Sequence, residues 1–191
     1  LSRHRLFPAG EGPGYFGSRR FDRPSPGRRL HMVSLSGAME ARAETPSMSY
    51  DGFLRATRAI TRHAADVRAA FRRMLFNVLA CNRDDHTRQH SFLMDERGEW
   101  RLAPAYDLTW SMGPGGEHYM DIEGEGRNPT RAHVDALGKR HGVAGVAAMV
   151  EEVAAAVARW PEFAAAAGVT RRSATEIRAA HAQVRERFSA A

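Results

Sequence analysis

The sequence predicts a mainly α-helical domain that contains one small β-hairpin. Six apolar side chains recur at helical spacing and predict one long core helix: Val67, Phe71, Met74, Leu75, Val78 and Leu79. Two short apolar runs, 91–94 and 100–102, flank a turn that contains Gly98 and predict the hairpin. A chain of 191 residues can bury one sizeable core, so we expect a single domain dominated by Ala-rich helices.

Further helices are predicted on both sides of this central part. They span about 49–60, 130–142, 143–160 and 173–188. Ser49 is a suitable N-cap for the first of them, and Ser173 with Glu176 forms a capping box for the last. Residues 30–40 are weakly helical. Residues 113–129 form a long Gly-rich loop that we expect to be mobile, and such loops often carry function.

The composition limits the classes of partner and compartment. A net charge of +6 permits a polyanionic partner, but the basic residues are spread along the chain, and direct nucleic-acid binding is not indicated. Cys81 is the only cysteine, which excludes an intrachain disulfide and favours a cytoplasmic protein with a buried, unreactive thiol. No apolar run is long enough to cross a membrane, and no secretion signal is recognisable. The start at Leu1 rather than Met suggests a fragment or a processed product.

The polar stretch 82–111 concentrates the residues that could carry chemistry. Asp84 lies in a polar loop after the core helix, Gln89 follows five positions later, and Asp107 follows the second hairpin strand. Phosphoryl transfer needs one carboxylate to orient the attacking hydroxyl, and an amide with a second carboxylate to bind magnesium. The spacing D-x-x-x-x-N of kinase catalytic loops is reproduced here with Gln in place of Asn.

Other interpretations of the same stretch stay open at this point. Loop acids are most often only solvated, and the spacing alone is a weak signal. A metal-dependent hydrolase would use Asp84, Asp85, His86, His90 and Asp107. In that class Asp84, His86, His90 and Asp107 would converge on one ion. His86 and His90 are four apart, but no HExxH motif or second Cys supports zinc. The sequence GEGPG at positions 10–14 lacks the Lys-Ser/Thr ending and the helix of a phosphate-binding loop.

Six short segments follow one another in a fixed order: RFDR (20–23), FNVL (76–79), NRDDHT (82–87), SFL (91–93), RLAPAYDL (101–108) and GEGRNP (124–129). The most specific parts are N-x-D-x-H and L-A-P-x-Y-D. In this order the segments resemble the C-terminal lobe of the HipA-like serine/threonine kinases, which are toxins of bacterial toxin–antitoxin pairs. The resemblance covers roughly positions 15 to 140.

This resemblance implies a role for individual residues. Asp84 would be the catalytic acid that faces the substrate hydroxyl. Asp107 and Gln89 would bind Mg²⁺, and Gln89 would also contact the nucleotide. His86 would shape the loop near the phosphates of ATP.

The resemblance also implies a nucleotide contact, partners and a division of the chain. Phe21 and Asp22 would lie beside the adenine and ribose. The partners would be a protein that carries the target Ser or Thr and a small DNA-binding antitoxin. Residues 1–29 would be a hinge-like remnant of the N-lobe edge, and residues 30–191 the helical kinase lobe.

Two departures from the family pattern shape the expected activity. Gln89 stands where Asn is usual, and its extra methylene would weaken the second metal site, because magnesium demands near-ideal geometry. The Gly-rich cover and the phosphate-binding lysine of an N-lobe are not recognisable, and Lys139, in a late helix, is badly placed for that role. We therefore expect either a kinase lobe that needs an N-lobe for activity, or a non-catalytic binding module.

Overall fold

The computed structural model of the chain describes residues 3–10, 12, 14–40 and 48–189. About half of the chain is helical, and two small antiparallel sheets complete the fold. The strands are β1 (His4–Phe7), β2 (Tyr15–Ser18), β3 (His31–Ser34), β4 (Ser91–Met94) and β5 (Trp100–Leu102). The helices are α1 (Leu35–Ala38), α2 (Tyr50–Thr61), α3 (Ala64–Leu79), α4 (Arg131–His141), α5 (Val146–Ala158), α6 (Trp160–Ala166) and α7 (Arg171–Ser189).

The predicted hairpin of β4 and β5 is confirmed, and it forms part of a larger sheet. β3 pairs antiparallel with the other edge of β4, so that Phe92 lies between Val33 and Leu102 in the register. Phe92 is fully buried, which fixes one face of this three-stranded sheet against the helices. β1 and β2 pair with each other in a separate two-stranded hairpin.

Helices α2 and α3 build the centre of the core, and α2 begins, whereas α3 ends, next to the polar stretch. Ser49 accepts a hydrogen bond from the Gly52 amide at 3.2 Å, which confirms its predicted role as the N-cap of α2. The largest fully buried side chains of α2 and α3 belong to one hydrophobic core (Tyr50, Phe53, Leu54, Phe71, Met74 and Leu75). Helix α5 packs against α3 and adds Met149 and Val150 to this core.

Helix α6 was not predicted, and the other later helices follow the predicted pattern with one correction. Helix α4 begins after Thr130, and Gly142 caps its C-terminus. Gly142 has a φ of 63°, in the left-handed region that glycine adopts without strain. Helix α7 begins earlier than predicted. Thr170 accepts the hydrogen bond from the Ser173 amide at 3.2 Å, so Thr170 caps the helix and the predicted capping box at Ser173 is wrong.

Two further expectations are corrected by tertiary packing. Residues 30–40 are not one weak helix, because β3 pairs with β4 and Ser34 then caps the short helix α1. The Gly-rich loop is not loosely attached, since Met120 and Ile122 are each 1% exposed and belong to the core. Tertiary packing also buries a charged residue of α3, since Arg73 is only 8% exposed.

No helix in the described part of the chain combines the length and the apolar character that crossing a bilayer requires. The proposed boundary between residues 29 and 30 stays a prediction. Cys81 is buried as expected, and burial raises the pKa of its thiol.

Candidate active site

The loop that follows α3 is clamped to the segment that follows β5. The chain leaves α3 through Cys81, whose φ is 53°, and the Asn82 amide donates to the Asn77 carbonyl at 2.8 Å. Asn82 and Ser111 then form a parallel β-bridge, in which the Ser111 amide donates to the Cys81 carbonyl at 3.0 Å. This bridge places the residues around Asp84 beside the residues that follow Asp107.

Asp84 and His86 lie together at the surface of this loop. The Asp84 carboxylate is 40% exposed, and its Oδ1 lies 3.7 Å from His86 Nε2. His86 Nδ1 accepts a hydrogen bond from the Arg88 amide at 3.3 Å, where the imidazole caps a 3-10 turn at Thr87–Gln89. Because Nδ1 accepts, neutral His86 carries its proton on Nε2, which faces Asp84. Asp84 is thus an accessible carboxylate whose loop is shaped by His86.

Gln89 and Asp107 meet across the base of the hairpin. Gln89 Nε2 donates to Asp107 Oδ2 at 2.7 Å, and Asp107 is exposed, with a φ of 52°. Rotation of the amide by half a turn would present its oxygen in the same direction. Magnesium binds through one or two carboxylates together with waters and substrate phosphates, so this carboxylate–amide pair is a donor set that fits the ion.

The predicted nucleotide-contacting segment reaches the same end of the hairpin. The Phe21 ring packs against the Tyr106 ring, with 5.7 Å between their centroids, and Tyr106 directly precedes Asp107. The Asp22 carboxylate is instead engaged by Arg20, with bonds of 2.9 and 2.6 Å, and by Arg23 at 3.2 Å. These hydrogen bonds lower its pKa to about 2. Phe21 therefore lies beside the site, whereas the Asp22 carboxylate is already bound by two arginines.

A buried carboxylate that the sequence offered only for the hydrolase interpretation holds the loop in place. Asp85 is fully buried, and its Oδ2 accepts from the Tyr50 hydroxyl at 2.5 Å and from His118 Nδ1 at 2.8 Å. Its Oδ1 accepts from the Tyr119 amide at 2.8 Å. Asn77 donates to the Tyr50 oxygen at 2.9 Å, so that hydroxyl hydrogen must point to Asp85. Asp85 thus ties the loop that carries Asp84 to α2 and to the Gly-rich loop.

A second group of missed residues supports the segment that leads to Asp107. Arg73 donates from Nη2 to the Ala103 carbonyl at 2.7 Å, and burial lowers its pKa to about 10. The Tyr106 hydroxyl lies 2.6 Å from the Arg88 carbonyl and 2.6 Å from the Ser91 hydroxyl. The position of Arg73, two residues after Phe71 on a helix with an apolar stripe, gave no signal of this role.

The arrangement required by the hydrolase interpretation does not form. Asp85 is committed to its buried network, and His90 packs against the Phe53 ring at 4.2 Å between centroids. Burial holds the pKa of His90 well below its ordinary value. In the part of the chain that the structure describes, no three His, Cys, Asp or Glu side chains are placed to share a metal ion.

Comparisons with known proteins agree on one class. Over 95% of its length the chain superposes, with a TM-score of 0.71 and 18% identity, on a chain from the Shewanella oneidensis MR-1 toxin–antitoxin complex of HipA, HipB and operator DNA. A Haemophilus influenzae protein named "Putative kinase" is 30% identical over 99 residues, which are 47% of this chain. The chain spans 49% of the first protein and 29% of the second.

The structural likeness places the chain in the HipA class of folds. A family model, the HipA-like C-terminal domain, matches residues 1–187. The chain belongs to the HipA-like C-terminal domain family, as its motifs indicated.

Proposed function

We propose that this chain is the kinase-like C-terminal lobe of a protein that transfers the γ-phosphate of ATP to a Ser or Thr of a protein substrate. Asp84 receives or orients the acceptor hydroxyl, while Asp107 and Gln89 hold the Mg²⁺ that neutralises the phosphates. His86 keeps the loop in shape, and Phe21 contributes an apolar surface next to Tyr106 for the base.

The contact between Gln89 and Asp107 is the observation that carries this proposal. A glutamine five residues after an exposed loop acid meets a second acid at 2.7 Å, although 18 positions separate the pair. The replacement of the usual Asn by Gln therefore still allows the amide to reach the metal-binding acid. The supporting side chains beneath are buried and hydrogen-bonded, which is the preorganisation that catalysis by positioning requires.

The proposed partners come from the comparisons and the family. The HipA of the structural match is assembled with HipB and operator DNA, and we propose an antitoxin of this DNA-binding kind as a partner here as well. We also propose a toxin–antitoxin role and a cytoplasmic location for the complete protein. The chain spans 49% of the structural match and 29% of the Haemophilus influenzae protein. We therefore propose phosphoryl transfer for the chain joined to an N-lobe.

The proposal is tested by Mg²⁺-dependent ATP binding, measured by isothermal titration calorimetry on the chain alone and on the chain joined to an N-lobe. We expect Asp107→Ala to weaken the Mg²⁺-dependent part of ATP binding at least about tenfold, which is the range seen when support of a metal site is lost. Asp84→Asn should retain ATP binding and lose phosphorylation of the protein substrate, because it removes only the acceptor-facing carboxylate.

Glu96→Ala is the matched control, because it removes an exposed carboxylate at the hairpin turn, 75% exposed, away from the pair. Unchanged nucleotide binding and phosphorylation in Asp107→Ala would refute the metal assignment. If neither form binds ATP while an antitoxin still binds, the chain is a non-catalytic binding module instead.

A further inference from the structure

Two guanidinium groups face a notch in the Gly-rich loop, and one of them belongs to the residue that precedes the proposed catalytic Asp84. A Cβ atom placed on Gly116 would lie 3.8 Å from Arg127 Nη1 and 3.9 Å from Arg83 Nη1. Gly116 has a φ of +80°, and it carries no side chain to fill the space between the two arginines. The space beside Gly116 therefore has room for at least one carbon-sized atom within van der Waals distance of both guanidinium groups.

Arg83 is poorly satisfied by its own surroundings. Its two hydrogen bonds, to the Met112 and Arg127 carbonyls, are both 3.4 Å long, beyond the usual 2.7–3.2 Å of N–H···O bonds. Its Nε is buried without a hydrogen-bond partner. Within the described ranges, Arg83 forms no ion pair with a carboxylate. The guanidinium of Arg83 therefore has N–H donors left to bind an anion.

The two guanidinium groups differ in how they are paired. Arg127 is paired with the Glu117 carboxylate, whose Oε1 lies 2.8 Å from Nη2 and 3.2 Å from Nε, and the Glu125 carboxylate also lies near it. Arg83 has no such partner in the described ranges, so its permanent charge is the one left to attract an anion.

The notch is rigidly attached to the loop that carries Asp84. Arg83 directly precedes Asp84, and its amide donates to the Ser111 carbonyl at 3.3 Å. Gly113 packs so tightly here that a Cβ would lie 2.7 Å from Arg83 Cβ and 2.2 Å from the Glu117 carbonyl oxygen. A group bound in the notch would therefore lie next to the loop that carries Asp84.

We propose that the notch formed by Arg83, Gly116 and Arg127 binds an anionic side chain of the protein substrate, close in sequence to the Ser or Thr that Asp84 faces. The side chain is a carboxylate or a phosphate, since arginine forks bind both in a bidentate manner. The inference rests on the proposed function and adds a substrate class to it, namely acceptor proteins with an acidic or phosphorylated residue near the target.

The first test measures anion binding without catalysis. Inorganic phosphate is titrated into the ¹⁵N-labelled chain, and the arginine Nε–H resonances are followed by NMR. We expect the Arg83 resonance to shift in a saturable way, and Arg83→Gln and Arg127→Gln each to weaken phosphate binding about tenfold, the loss typical of a charge-assisted hydrogen bond. Arg97→Gln is the control, because it removes the same charge from the exposed turn between β4 and β5.

Folding of each variant is checked by its melting temperature, and Arg127→Gln decides the case if Arg83→Gln unfolds. Phosphate binding that is equal in Arg127→Gln and Arg97→Gln would overturn the proposal. Displacement of the phosphate by ATP with Mg²⁺ would also overturn it, because the notch would then belong to the nucleotide.

The second test uses the chain joined to an N-lobe and a positional library of Ser/Thr peptides. One arm places Glu at each position around the acceptor, and the other places phosphoserine there. We expect the ratio of kcat/KM for anionic over neutral peptides to fall about tenfold in Arg83→Gln and to be unchanged in Arg97→Gln. No anionic preference in the unaltered protein would refute the inference. If no peptide is phosphorylated, the result counts against the proposed function. The phosphate titration would still test whether the notch binds an anion.

Discussion

Replacement of Asp85 by Ala tests how strongly the buried network holds the loop next to Asp84. The Asp85 carboxylate accepts three hydrogen bonds and is fully buried, so its removal leaves three donors without an acceptor: the Tyr50 hydroxyl, His118 Nδ1 and the Tyr119 amide. A buried donor that loses its partner costs about 1–3 kcal/mol. Partial relaxation and entry of water reduce the sum, so we expect the free energy of unfolding to fall by about 3–5 kcal/mol.

This loss is a large part of the roughly 5–15 kcal/mol by which domains are stable, and it should lower the melting temperature by about 10 °C for a chain of this size. Urea unfolding followed by circular dichroism gives the free energy directly. Asp85→Asn keeps one acceptor oxygen and the side-chain volume, so its loss should be about half as large.

Asp135→Ala is the matched control for Asp85→Ala. The Asp135 carboxylate is 49% exposed and pairs with Arg131 at 2.9 Å on the same helix, so its removal should cost no more than about 0.5 kcal/mol. If Asp85→Ala destabilises the chain no more than Asp135→Ala does, the network is not a determinant of stability and the reasoning is refuted.

Three further predictions follow from single contacts. Because the pKa of Asp22 is lowered to about 2, its stabilising contribution is present above the unfolded-state pKa near 4 and is lost as the pH falls towards 2. In urea unfolding, the difference in free energy of unfolding between the unaltered chain and Asp22→Asn should therefore shrink from about pH 4 to about pH 2. A difference that stays constant would contradict this prediction. Gly113→Ala should lower the melting temperature more than Gly98→Ala, since both have positive φ but only the first brings a Cβ within 2.2 Å of a carbonyl oxygen. Cys81 is 3% exposed with a raised pKa, so a thiol reagent at pH 8 should modify it only under unfolding conditions, and fast modification of the folded chain would be inconsistent with the structure.

The meeting of Gln89 with Asp107 could be predicted because it depends on local rules. Antiparallel pairing of two strands that are joined by a short turn brings the residues before the first strand close to those after the second. The register of Phe92 with Leu102 follows from which side chains are apolar. For the same reason the long helix and the loop at Asp84 could be located in the sequence, and the motifs then indicated the family.

The difference in burial between Asp84 and Asp85 could not be predicted from their neighbours in the sequence. The two acids are adjacent and have almost the same local sequence, yet one is exposed at the loop surface and the other is fully buried. What separates them is contact with Tyr50 and His118, which are 35 and 33 positions away. The strand β3 was misjudged for a related reason, since four residues of mixed character become a strand only through pairing with β4, nearly 60 positions later.

The sequence by itself determined the long helices, the hairpin and the polar loop at position 84, because apolar periodicity and turn residues act over a few positions. Tertiary structure alone decided which polar groups are buried, such as Arg73 and Asp85, and which guanidinium groups remain available at Gly116. Burial and hydrogen bonding depend on elements that are far apart in the chain, and no local pattern records them.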